Sequence, residues 1–110
     1  MDNTRTIEKI KKLGSKKKSN KVIQFLDTND IEVVKAAMQA LSTIKDEDSV
    51  NTIAHLIDSS EPEIRIAAAG CLAEIGSEYC KTYLQHRIQC ESDENVKAAI
   101  SEALHCIAAN

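Results

Sequence analysis

The chain has 110 residues, 43% of them hydrophobic and 28% charged, which suits one soluble globular domain and excludes a globally disordered chain. Three glycines and one proline are too few for the turns of a β-sandwich or barrel, and with one Phe, two Tyr and no Trp the core must be aliphatic. Net charge is −3, but residues 1–21 hold eight basic and two acidic side chains, a balance of +6, against six basic and fifteen acidic ones in the remainder.

The chain opens with isolated Ile7, Ile10 and Leu13 among lysines. That stretch has no apolar core for a signal peptide, and no later run is long enough to span a bilayer. Four cysteines without a secretion signal then read as reduced thiols, and a cytoplasmic protein is expected. Residues 4–13 predict a single helix that caps the start of the molecule, with lysine on its exposed side.

Three two-helix units follow. Residues 19–45 pair a short apolar segment (Val22, Ile23, Leu26) with a longer one from Glu32 to Ile44. Residues 49–76 repeat this with Ile53, Ala54 and Ile57, then Glu63 to Ile75; residues 79–109 do so with Tyr83, Leu84 and Ile88, then Asn95 to Ile107. The longer segments superpose without gaps. Val33, Ile64 and Val96 align, as do Ala36, Ala67 and Ala99; Ala37, Ala68 and Ile100; Ala40, Cys71 and Ala103; Leu41, Leu72 and Leu104; and Ile44, Ile75 and Ile107. These columns fall at i, i+3, i+4, i+7, i+8 and i+11, one face of an α-helix, so they predict the core stripe. Short loops make the paired helices antiparallel neighbours.

Helix-start chemistry precedes each long segment, with Asn29, Ser60 and Ser92 read as the N-caps. The third unit has one extra residue, since Leu26 to Val33 and Ile57 to Ile64 span seven positions while Ile88 to Val96 spans eight. Ile10, Leu13 and Gly14 align with Leu72, Ile75 and Gly76, so the first helix reads as a preceding half-unit. The last helix either presents a polar outer face or docks onto another copy as a weak dimer.

These residues resemble HEAT repeats, of the short type near thirty residues found in phycobilisome lyases. The second helix of that family opens with an acidic residue, two spacers and Val-Arg. Here the start reads Asp30-Ile31-Glu32-Val33, Glu61-Pro62-Glu63-Ile64-Arg65 and Asp93-Glu94-Asn95-Val96-Lys97, with Val34 standing where the basic residue belongs in the first unit. The resemblance covers roughly residues 4–109. It implies an all-α superhelix, a HEAT-like solenoid, in which the second helices line a concave face. It also implies that columns flanking the core stripe point there: Val34, Arg65 and Lys97; Met38, Ala69 and Ser101; Ser42, Ala73 and His105. Val34, Met38, Arg65, Ala69, Lys97 and Ser101 are thus the expected partner contacts. The bland alternative pairs Arg65 and Lys97 with Glu61 and Asp93 as exposed ion pairs worth ~0–1 kcal/mol.

No catalytic constellation is visible. Cys71, Cys80, Cys90 and Cys106 contain no C-x-x-C, and Cys71 occupies a core column as a small hydrophobe. His86 and Cys90 share a helix face but make only two ligands, so no metal is expected. His55, His86 and His105 are dispersed, no nucleophile has a base beside it, and Asp46, Glu47 and Asp48 are expected in a loop. Gly14, Gly70 and Gly76 are isolated, so there is no phosphate loop and no cofactor is expected. The expected function is a non-catalytic scaffold that binds an unidentified protein or peptide along the concave face. The alternative is an anion- or nucleic-acid-binding module through residues 5–21, carried by Lys9, Lys12, Lys16, Lys17, Lys18 and Lys21. No aromatic residue interleaves those lysines for base stacking. Assistance with chromophore attachment, which the lyase resemblance raises, finds no pocket signature in so short a chain.

Overall fold

A computed structural model of the protein describes residues 3–109. Among the described residues the fold is all-helical: α1 (Thr4–Ser15), α2 (Ser19–Ile23, continued by a 3₁₀ turn at Gln24–Leu26), α3 (Ile31–Ile44), α4 (Glu47–Leu56), α5 (Pro62–Ile75), α6 (Glu78–Cys90) and α7 (Glu94–Ala109). The long helices α1, α3, α5 and α7 pack side by side in one layer; α2, α4 and α6 form a second layer against it. The smallest dimension of the molecule, 18 Å, is that of two helical layers. This is the expected solenoid of three two-helix units preceded by a single helix.

The helix starts are set one residue later than the sequence suggests. Asp30 caps α3 by accepting the N–H groups of Glu32 and Val33, and Asp93 accepts those of Asn95 and Val96 at the start of α7. Glu61 is the cap of α5, with Pro62 in the first turn. Thr28 and Ser59 instead accept the backbone N–H of the capping residue itself, two positions on. An aspartate outcompetes the preceding Asn or Ser because a carboxylate also meets the positive end of the helix dipole. Asp46 likewise caps α4 by accepting Ser49 N–H at 2.9 Å, so Asp46, Glu47 and Asp48 open a helix two residues before the expected start and do not sit in a loop.

The ends differ in chemistry. Gly76 terminates α5 in the left-handed conformation at φ 67°, where glycine has no Cβ to clash; Lys45 ends α3 at φ 61° without that advantage. Gly14 aligns with these residues in sequence but lies inside α1, which runs to Ser15, beyond the expected end at 13. The left-handed residue there is Lys17 at φ 57°, with Lys17 N–H bonded to Gly14 O and Lys18 N–H to Leu13 O. Gly14 serves packing: a Cβ at that position would stand 3.0 Å from the Ala40 Cβ, so its absence lets α1 and α3 approach closely.

The predicted core stripe is present and wider than expected. Ala37, Ala68 and Ile100 are buried as expected, together with Leu41 and Leu72. Val33, Cys71, Val96 and Ala103 are buried too, and the other predicted columns pack against the core. Ala36, Ala67 and Ala99, expected at the core, are half-exposed. They still pack against the core, and Val34, Met38 and Ser42 are buried in addition, as are Arg65 and Ala69. The widening has a geometric cause: the long helices pack against short helices and against neighbouring long helices, so each buries more than one face.

Candidate partner-docking face

The wider stripe takes in several of the expected partner contacts. Val34 (3% exposed), Met38, Arg65 and Ala69 are buried, and Arg65 bonds across to Glu91 of the next unit. Ser101 and His105 are exposed and Lys97 is half-buried because they occupy the same columns on α7, which no described helix covers. Lys97 pairs with Glu94 at 3.5 Å, not with Asp93. The outer face of α7 therefore carries Lys97, Ser101 and His105 where the earlier units carry Val34, Met38 and Ser42.

Surface on the long-helix layer comes instead from columns read as core. Between α1 and α3 runs a groove of about 340 Å³, floored by Gly14, Ala36 and Ala40 and edged by Lys11, Ser15, Gln39 and Thr43. A second, of about 350 Å³, lies between α5 and α7 and is lined by Ile66, Gly70, Ala73, Ala99, Glu102, Ala103 and Cys106. Ala99, Glu102, Ala103 and Cys106 are the repeat counterparts of Ala36, Gln39, Ala40 and Thr43. The same small-residue columns open the same groove twice. Between α3 and α5 the channel is bridged: Glu74, which stands where Thr43 and Cys106 do, accepts from Ser42 Oγ at 3.1 Å and from Gln39 Nε2 at 3.3 Å.

The basic segment is fully displayed. Lys9, Lys12, Lys16, Lys17, Lys18 and Lys21 are all exposed, and among the described residues none is in an ion pair. Arg5, Lys9, Lys12 and Lys16 recur at i, i+4, i+7 and i+11 and form one stripe along α1, beside the edge that carries Lys11. Lys9 and Lys21 also flank a more polar depression with Asn20 and Gln24 on the other side of α1.

One buried polar cluster escaped the sequence reading. Glu91, its side chain 0% exposed, receives Arg65 through two parallel bonds of 2.9 Å and Arg87 Nε at 3.1 Å. Its second oxygen also accepts the Asp93 N–H at 3.0 Å. Arg65 donates further to Ser59 O at 2.7 Å, and Arg87 to Asp58 at 3.1 Å. Burial works against the Glu91 anion, but the Arg65 bonds, the Asp93 N–H and Arg87 outweigh it and hold the carboxyl at about 2. The cluster fastens the second unit to the third. Its signal lay in the alignment: Glu91 sits two residues before Asp93, as Thr28 precedes Asp30 and Ser59 precedes Glu61, a carboxylate where the other units have a hydroxyl. At the opposite end a lighter polar tie joins Ser19 Oγ to Asp46 at 2.6 Å, and hydrogen bonds from Ser19 and then Ser49 lower the Asp46 carboxyl.

The remaining candidate groups do not converge. The Cys71 thiol is pushed up to about 11, by burial and secondarily by Glu74, which keeps it protonated and unreactive. His55, His86 and His105 are exposed on separate helices, and Cys90 Sγ bonds to the backbone oxygen of His86. Among the described residues no group of three or more His, Cys, Asp or Glu is placed to hold a metal ion, and no helix is long and apolar enough to cross a membrane.

A comparison with protein families matches residues 6–105 to the model described as HEAT repeats. No curated protein and no solved structure matches the chain.

Proposed function

Since the chain belongs to the HEAT-repeat family, a family of protein-interaction scaffolds, we propose that it is a non-catalytic docking module for a protein partner on the face formed by α1, α3, α5 and α7. The observation that carries the reading is the groove found twice, between α1 and α3 and between α5 and α7, with equivalent repeat positions on the α3 and α7 walls and alanine and glycine in the lining. Shallow grooves lined by small residues and recurring along the array offer successive seats for a partner's side chains, which supports the reading. Unit lengths of 31 and 32 residues support placing the repeats with the short type of phycobilisome lyases, but bilin chemistry forms no part of the proposal.

The test is capture of partners from an extract of the source organism with wild-type protein, Ala40→Arg, Ala103→Arg and, as a control on the short-helix layer, Gln85→Arg. A partner retained by wild type and Gln85→Arg but lost from a groove variant with native circular dichroism supports the reading. A partner set unchanged by both groove variants overturns it.

A further inference from the structure

We infer that the groove between α1 and α3 takes an acidic amphipathic helix, seating an apolar side chain on Gly14, Ala36 and Ala40 while its carboxylates meet the lysines of α1. This rests on the proposed function and names the class of partner. Three observations narrow the class. First, the walls are two helices whose backbone groups are satisfied internally, so no free N–H or C=O row is offered to an extended strand, and recognition must run through side chains. Second, the floor is apolar and shallow because three small residues face each other across it. A sugar–phosphate backbone has no group that would gain from such a floor, whereas a leucine or methionine side chain does. Third, the surrounding charge is predominantly basic. Lys11 edges the groove, Lys12 and Lys16 belong to the exposed stripe on the outer side of the same helix, and none is in an ion pair among the described residues. Against them stand Glu8 on α1, the internally neutral Glu32–Lys35 pair on α3, and Glu74 of α5, which accepts from Gln39 at the groove's edge. The equivalent groove between α5 and α7 has Ala73 in place of Lys11 and Glu102 in place of Gln39, so it lacks this complementarity. The first groove is the acid-selective one.

The probe is a synthetic peptide of Glu and Ala with leucines at i and i+4, titrated by fluorescence anisotropy with amide shifts of the protein followed by NMR. Lys11→Glu/Lys12→Glu, a change of two exposed side chains, is expected to weaken binding about tenfold or more, and peptide leucines replaced by serine to weaken it similarly. Shifts should centre on Gly14, Ala36 and Ala40. Equal affinity for the leucine and serine peptides, or tighter binding of a duplex DNA of matched charge, overturns the inference by making the region a general polyanion surface. Shifts confined to α5 and α7 overturn it while leaving the docking module intact. The capture experiment above fails independently, when neither groove variant loses a partner.

Discussion

Replacing Glu91 by Gln tests the buried ionic cluster quantitatively. The glutamine keeps the shape and one acceptor oxygen, but it turns an NH₂ toward guanidinium groups that need an anion. The carboxyl falls from its ordinary 4.5 to about 2 on folding, which corresponds to about 3 kcal/mol at pH 7. That agrees with the ~3–5 kcal/mol lost when one member of a buried pair is removed. The sign follows from the lowered value: the contribution is complete above 4.5 and disappears as pH falls through about 2. Urea unfolding followed by circular dichroism should therefore show wild type ahead of Glu91→Gln by about 3 kcal/mol at pH 7 and by less than half of that at pH 3. Against a total of roughly 5–15 kcal/mol for a domain of this size, the first difference is large. A gap under about 1 kcal/mol at pH 7, or one that stays constant between the two pH values, refutes the account of Glu91 as an anion held by arginine.

Four further outcomes follow from geometry. Gly70→Ala should raise stability by about 0.5–1 kcal/mol in thermal unfolding, since a Cβ there meets nothing within 4 Å and helix propensity improves; Gly14→Val should lower it by about 2 kcal/mol or more, because α1 and α3 would have to separate. Lys45→Gly should stabilise by about 0.5–1 kcal/mol by relieving the left-handed backbone, with the same melt as the check. Iodoacetamide at pH 8 should modify the exposed Cys90 and Cys106 within the time in which the buried Cys71 and Cys80 stay intact, as read by peptide mass spectrometry.

Fold class and helix count were legible because apolar residues at helical spacing recur in three windows, and tertiary packing reinforces that period. The docking face was not. The period reports that a helix has a buried stripe, but alanines at Ala36, Ala37 and Ala40 carry almost no information on where the stripe ends. Hydrophobicity therefore shows the stripe but not its width: Val34 and Met38 join it, while Ala36 and Ala40 lie half-exposed at its edge. Arg65 was misread for a related reason. Its nearest acidic residues in sequence are Glu61 and Glu63, yet it bonds to Glu91, which only the stacking of units brings near. Local spacing is blind to that distance in the chain.

The brevity of α2 sets how the molecule comes apart. Because each helix touches only its neighbours, local opening has no global contact to restrain it and runs inward from whichever end is held least. At the α6–α7 end Arg65 holds the units through a buried, bidentate bond to Glu91; at the α1–α2 end a five-residue helix and its 3₁₀ turn rest on apolar contact and the Ser19–Asp46 bond, with the part-buried Asn3–Asp30 bond beside them. Amide protons of α1 and α2 are thus the ones to exchange first, and α5 and α7 the last. A ligand seated between α1 and α3 then closes the loosest part of the array, so its occupancy reads out as slowed exchange at the frayed end.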